Sequence, residues 1–104
     1  WLIHDEIDLP LGKIKIVVNK NSAGHKGVES VIKALKSKNF TRFRIGSCPF
    51  RKKTLIKDVK KFLLFPYSPS KWKKANKGVQ KAVKAIELAL EKNLPTAMTK
   101  FNAK

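Results

Sequence analysis

A chain of 104 residues, 42% hydrophobic and 30% charged, with 24 Lys and Arg against 7 Asp and Glu, is sized for one domain and too apolar for wholesale disorder. Its formal net charge of +17 points to a polyanionic partner, nucleic acid first, because such a surface repels itself. No apolar run approaches the roughly 20 residues that cross a bilayer. The lysines are spread along the chain and not gathered on one amphipathic helix, which argues against a membrane-surface role.

Lysine far outnumbers arginine, so a compositional bias of the source genome competes with a polyanionic partner as the reading of part of the charge. The single cysteine, Cys48, excludes an internal disulfide and fits a reducing compartment, the cytoplasm or an organelle matrix. It reads as a small side chain in a loop; Arg51 nearby could favour a thiolate, but no spacing supports a nucleophile. No residue pattern calls for a metal or a cofactor.

The first residues, Trp1-Leu2-Ile3, read as the tail of a strand already in progress, as though the chain begins inside a larger unit. A strand over Trp1–His4 leads to the acidic run Asp5-Glu6-Ile7-Asp8 and a turn at Leu9-Pro10-Leu11-Gly12. Lys13–Val18 alternates and is β-branched, which predicts a strand with Ile14 and Ile16 opposite Lys13 and Lys15. Asn19–Gly24 is a polar loop. Val28, Val31, Ile32 and Leu35 recur at helical spacing, predicting a helix from Lys26 to Lys36.

Phe40–Ile45 alternates Phe, Phe and Ile against Arg42 and Arg44, a strand that stops before Gly46. Ser47–Lys53 is expected as an irregular basic loop, followed by a short helix with Thr54 as N-cap and apolar positions through Leu63. Ser68-Pro69 opens a long helix that carries Trp72, Ala75, Val79, Ala82, Val83, Ile86, Ala89 and Leu90 on a 3.6 period and ends before Pro95. Gly78 inside it suggests close packing. Thr96–Lys104 is left as a frayed or helical tail. The order β–β–α–β–α–α implies one α/β domain over residues 1–104: a mixed sheet flanked by helices, with a long C-terminal helix. Three strands make a thin sheet, so an edge should be exposed or completed by other residues.

If the chain carries chemistry, it is expected between His4 and Gly27. Asp5 follows a strand, where open α/β sheets place ligand crevices. A carboxylate there either orients an imidazole, as in a general-base dyad, or caps the next turn. Adjacent strand residues face opposite ways, so His4 should point away from Asp5. His25 sits at a Gly-flanked helix entry whose N–H groups and dipole attract phosphate, and Lys26 adds to that.

The runs His4-Asp5-Glu6-Ile7-Asp8-Leu9-Pro10-Leu11-Gly12, Gly24-His25-Lys26-Gly27 and Phe40-Thr41-Arg42-Phe43-Arg44-Ile45-Gly46, in this order, resemble the bacterial peptidyl-tRNA hydrolase family. The resemblance covers the chain, more loosely after Gly46. It implies that Asp5 is the catalytic aspartate, which orients a histidine base that activates water to cleave the ester between peptide and tRNA 3′ ribose. It implies that Gly24, His25 and Gly27 line the substrate cleft, and that Lys15 and Arg44 contact tRNA phosphate. Members of the family are usually monomeric.

Two departures qualify the expectation. Lys26 stands where the family has Asn; it can donate a hydrogen bond and stabilise an oxyanion, but it cannot accept one. Neither His4 nor His25 matches the family's base, which lies in an amino-terminal part not represented here. The expected partners are therefore tRNA, or ribosomal RNA, together with a missing amino-terminal segment or second chain. The alternatives are a non-catalytic RNA-binding subunit of a ribonucleoprotein or organellar ribosome, and a basic α/β domain whose lysines only solvate it.

Overall fold

The computed structural model describes residues 1–49 and 67–102; the expected helix from Thr54 to Leu63 and most of the Ser47–Lys53 loop lie outside them. Three strands, β1 (Leu2–Pro10), β2 (Ile14–Val18) and β3 (Thr41–Cys48), form a mixed sheet in the order β1-β3-β2. β1 runs parallel to β3, and β2 antiparallel to it. Helix α1 (Lys26–Leu35) joins β2 to β3, and α2 (Pro69–Glu91) and α3 (Leu94–Phe101) close the described chain. The architecture is α/β.

Period-two alternation makes β2 and β3 share a face. Ile14 lies opposite Ile45 and Ile16 opposite Phe43, and this apolar side packs on Ala82, Ala85, Ala89 and Ala97. Burying Phe43 and Ile16, each 1% exposed, contributes about 1.5–3 kcal/mol per side chain. The long helix turns its small residues inward: Ala75, Gly78, Ala82, Ala85 and Ala89 are buried, so the helix axis lies close to the sheet. Its larger apolar residues Trp72, Val79, Val83 and Leu90 are exposed. The expected single apolar stripe is thus divided: the small residues, with the half-buried Ile86 and Leu88, meet the core, and the four exposed residues do not.

Two strand boundaries differ from expectation. β1 does not end at His4 but runs through the acidic segment to Pro10, in register with β3 from Leu2 opposite Arg42 to Glu6 opposite Gly46. Asp and Glu are poor strand formers, but backbone pairing and an ion pair from Glu6 override that preference. β3 likewise passes Gly46 and ends at Cys48, placing this buried cysteine in a strand and not a loop. Gly46 makes this possible: a Cβ there would collide with the carbonyls of Pro10 and Leu9, where β1 shifts register.

The tail forms a helix. Asn93 caps α3 by accepting the Thr96 N–H at 2.8 Å, and Pro95 occupies its first turn, where a missing N–H costs nothing. Just beyond α3, the Asn102 amide pairs with β2: Oδ1 accepts the Ile16 N–H and Nδ2 donates to the Ile16 carbonyl, each at 2.8 Å. One side chain stands in for a neighbouring strand. The outer edge of β1 has no strand beside it among the described residues, and Trp1 and Ile3 there are 55% and 50% exposed.

Candidate active site

The two motif segments expected to carry chemistry meet at the outer strand. Asp5 lies on β1, and His25 lies just before α1, as that helix's N-cap. His25 Nε2 sits 3.2 Å from Asp5 Oδ1, while its Nδ1 accepts the Val28 N–H at 3.2 Å. The second bond settles the tautomer: an amide only donates, so Nδ1 carries the lone pair and Nε2–H points at the carboxylate. Helix capping therefore holds the imidazole, and the imidazole holds Asp5. Gly27 permits the arrangement, because a Cβ there would lie 3.0 Å from the His25 ring. Gly24 turns the chain into the cap with φ of +85°, a conformation open to glycine at no steric cost.

His4 points away from the Asp5 carboxylate, as strand alternation requires, yet joins the cluster by another route. Its Nδ1 donates to the Asp5 carbonyl at 2.7 Å, and its ring meets the edge of His25 at a centroid distance of 4.7 Å. That bond leaves Nε2 as an acceptor, buried and without a hydrogen-bond partner among the described residues. Burial, followed by the charges of His25 and Arg42, pushes the His4 pKa below 6.5, against the bond to Asp5 and the Glu6 charge.

On the neighbouring stretch Glu6, 3% exposed, accepts Arg44 Nε at 2.9 Å through Oε1 and the Asp8 N–H at 3.2 Å through Oε2. Arg44 thus spends one donor on Glu6. Lys15, directly across the ladder from it, is exposed. Arg42, expected beside Arg44 on the same face, is buried and donates Nη1 to the carbonyls of Lys20 and Asn21 at 3.3 and 2.8 Å. It braces the loop that delivers His25. Lys26, the first residue of α1, is exposed.

Tyr67 was invisible to sequence reasoning. Its hydroxyl donates to the Ser47 carbonyl at 2.6 Å, and its pKa is raised first by burial and then by the charge of Asp5. Glu6 was missed as well, since nothing local announces a carboxylate that meets an arginine 38 residues later. Among the described residues, no three His, Cys, Asp or Glu side chains cluster as a metal site would need, and no helix is long and apolar enough to cross a membrane.

Asp5 thus stands on the outermost described strand with one carboxylate oxygen against an imidazole and its side chain 59% exposed. Residues 1–104 match the family model described as peptidyl-tRNA hydrolase, and the chain belongs to that family. Proteins named peptidyl-tRNA hydrolase from Thermodesulfovibrio yellowstonii and Aquifex aeolicus are 38% and 39% identical to it over 101 residues. The crystal structure of peptidyl-tRNA hydrolase from Acinetobacter baumannii superposes with a TM-score of 0.79 at 25% identity, covering 97% of this chain and 50% of that one. The match takes in 97% of this chain but 52% and 51% of the two relatives; the chain spans about half their length.

Proposed function

We propose that this chain is the aspartate-bearing portion of a peptidyl-tRNA hydrolase, which cleaves the ester between a peptide and the 3′ ribose of tRNA. The observation that carries the reading is the orientation of Asp5. His25 Nε2–H occupies Oδ1, and no described residue hydrogen-bonds Oδ2. That oxygen is free to accept the N–H of an imidazole brought by further polypeptide along the open β1 edge. An imidazole so held takes a proton from water as the oxygen attacks the ester carbonyl. It then returns that proton to the departing ribose oxygen, giving a free peptide carboxylic acid and a tRNA 3′ hydroxyl.

His25 is not that base in this arrangement. Both of its ring nitrogens are engaged, one on Asp5 and one on Val28. Its position, with Gly24, Lys26 and Gly27, supports a role in lining the cleft, and Lys26 extends a donor toward developing negative charge. Lys15 and the remaining guanidinium donors of Arg44, neighbours across the ladder, are suited to a terminal phosphate of the tRNA. The reaction needs no metal or cofactor, and it belongs in the cytoplasm or an organelle matrix.

The test is ester cleavage of peptidyl-tRNA by the full-length gene product. Asp5→Asn keeps shape but removes the charge that steadies the imidazolium, and should lower kcat by at least about 100-fold. Equal rates would exclude Asp5 from the mechanism. The second reading, a non-catalytic RNA-binding relative, is favoured by the double engagement of His25, which leaves no free imidazole beside Asp5 among the described residues. A full-length protein that binds tRNA but shows no cleavage would establish it.

A further inference from the structure

We infer that Tyr67 and Trp72 form a stacking platform for the base of the terminal nucleotide, the one whose ribose carries the ester. The inference rests on the proposed function and adds the subsite that holds the last base of the strand. Tyr67 stands just before α2, and Trp72 lies in that helix's first turn. Their ring centroids are 5.5 Å apart with the planes at 85°, the edge-to-face geometry that aromatic pairs prefer. The Tyr67 hydroxyl donates to the Ser47 carbonyl at 2.6 Å, which pins the pair to β3. Trp72 is nevertheless 51% exposed. One side of the indole is held and the other is open.

Position ties the pair to the site. Ser47 lies two residues beyond Ile45 on β3, and Ile45 is the register partner of Asp5. At about 3.3 Å per residue, the anchor is about 7 Å along the strand from the level of Asp5. The charge of Asp5 reaches the Tyr67 hydroxyl and, after burial, helps to raise its pKa. β1 and β3 run parallel, and the anchor stands toward their carboxyl ends, where open α/β sheets bind ligands. The scissile ester and the terminal base share one ribose, so the base must settle within one sugar's reach of the reacting carbonyl. The pair stands at about that remove from Asp5.

Charge and openness choose a base over an apolar side chain of the peptide. Lys71, Lys73 and Lys74 flank Trp72 in the chain, and no Asp or Glu occurs from Ser68 to Ile86. Lys71 Nζ donates to the Pro49 carbonyl at 3.1 Å, whereas Lys73 and Lys74 are exposed. Aromatic rings set among cations are how proteins hold single strands: the base stacks, and the ammonium groups meet its phosphates. An apolar side chain is better held in a cavity that encloses it, and the indole is half open.

The experiment uses the full-length gene product and a fluorescein-labelled RNA hairpin with a short 3′ overhang ending in adenosine. Anisotropy compares the intact overhang with one whose last nucleotide lacks its base. The wild type should prefer the intact overhang by about 5- to 150-fold, the range that stacking of one base supplies. Trp72→Ala should bind both RNAs alike, and Trp72→Phe, which keeps a flat ring, should retain most of the preference. Trp72→Gln, polar at an exposed site, repeats the test if the alanine variant does not fold. An undiminished preference without the indole, or no preference in the wild type, would overturn the platform. If Trp72→Ala keeps the base preference but changes the ratio of cleavage rates for N-acetylphenylalanyl- and N-acetylalanyl-tRNA, the occupant is the peptide side chain and the base assignment falls. Cleavage by the wild type is read separately, so a failed platform and a failed hydrolase reading give different results.

Discussion

At the scale of single residues, His25 shows how one side chain serves two ends. It caps a helix through one nitrogen and holds a carboxylate through the other, so the helix start and the candidate site share one fixed ring. His4, pressed against it, makes the stability of this region depend on pH. The unfolded chain takes a proton on His4 near the ordinary 6.5, whereas the fold resists it because burial lowers the pKa. Below 6.5 unfolding therefore gains a proton, and stability should fall as pH drops from 7 until it passes the folded value. Urea midpoints measured over that range should decline for the wild type and decline less for His4→Gln; identical profiles would show that His4 contributes nothing. Asp5, His25 and the two glycines were legible in the sequence because each belongs to a short contiguous motif. Glu6 and Tyr67 were not, since their partners, Arg44 and the Ser47 carbonyl, lie far along the chain.

At the scale of elements, alternation in β2 and the 3.6 period of α1 and α2 were readable because local pattern and tertiary environment agree. β1 was read short because its acids speak against a strand, and only the parallel register with β3 and the Arg44 bond to Glu6 reverse that. The two edges of the sheet are treated differently. Parallel strands are ordinarily interior, and β1, with Trp1 and Ile3 exposed, has no outer neighbour among the described residues, so its edge can accept another strand. β2 is instead closed by Asn102. Asn102→Ala removes two hydrogen bonds worth about 1 kcal/mol each, so it should cost about 2 kcal/mol in denaturant unfolding and raise aggregation of the edge. An unchanged midpoint would mean that water replaces the amide without loss.

At the scale of the molecule, electrostatics dominates. The net charge of +17 is offset by few contacts among the described residues, where the ion pairs Asp5–His25 and Glu6–Arg44 sit around β1. Lysines on α1 and α2 face solvent and one another, so the folded chain stores self-repulsion that salt relieves. Moderate KCl should therefore raise the thermal midpoint while weakening RNA binding, and a midpoint that falls with salt would contradict the repulsion argument. Composition alone leads to the expectation of an anionic partner; it does not say which lysines would meet one, because they occur throughout the sequence.

The Asn102 latch also bears on how the protein is made. Ile16 and Asn102 are 86 residues apart, so the exposed edge of β2 can be sealed only after almost all of the described chain has been synthesised. At typical elongation rates that interval is on the order of ten seconds, long compared with strand pairing itself. A nascent chain carries an open, β-branched edge through this window, with its lysines as the main guard against sticking to its neighbours.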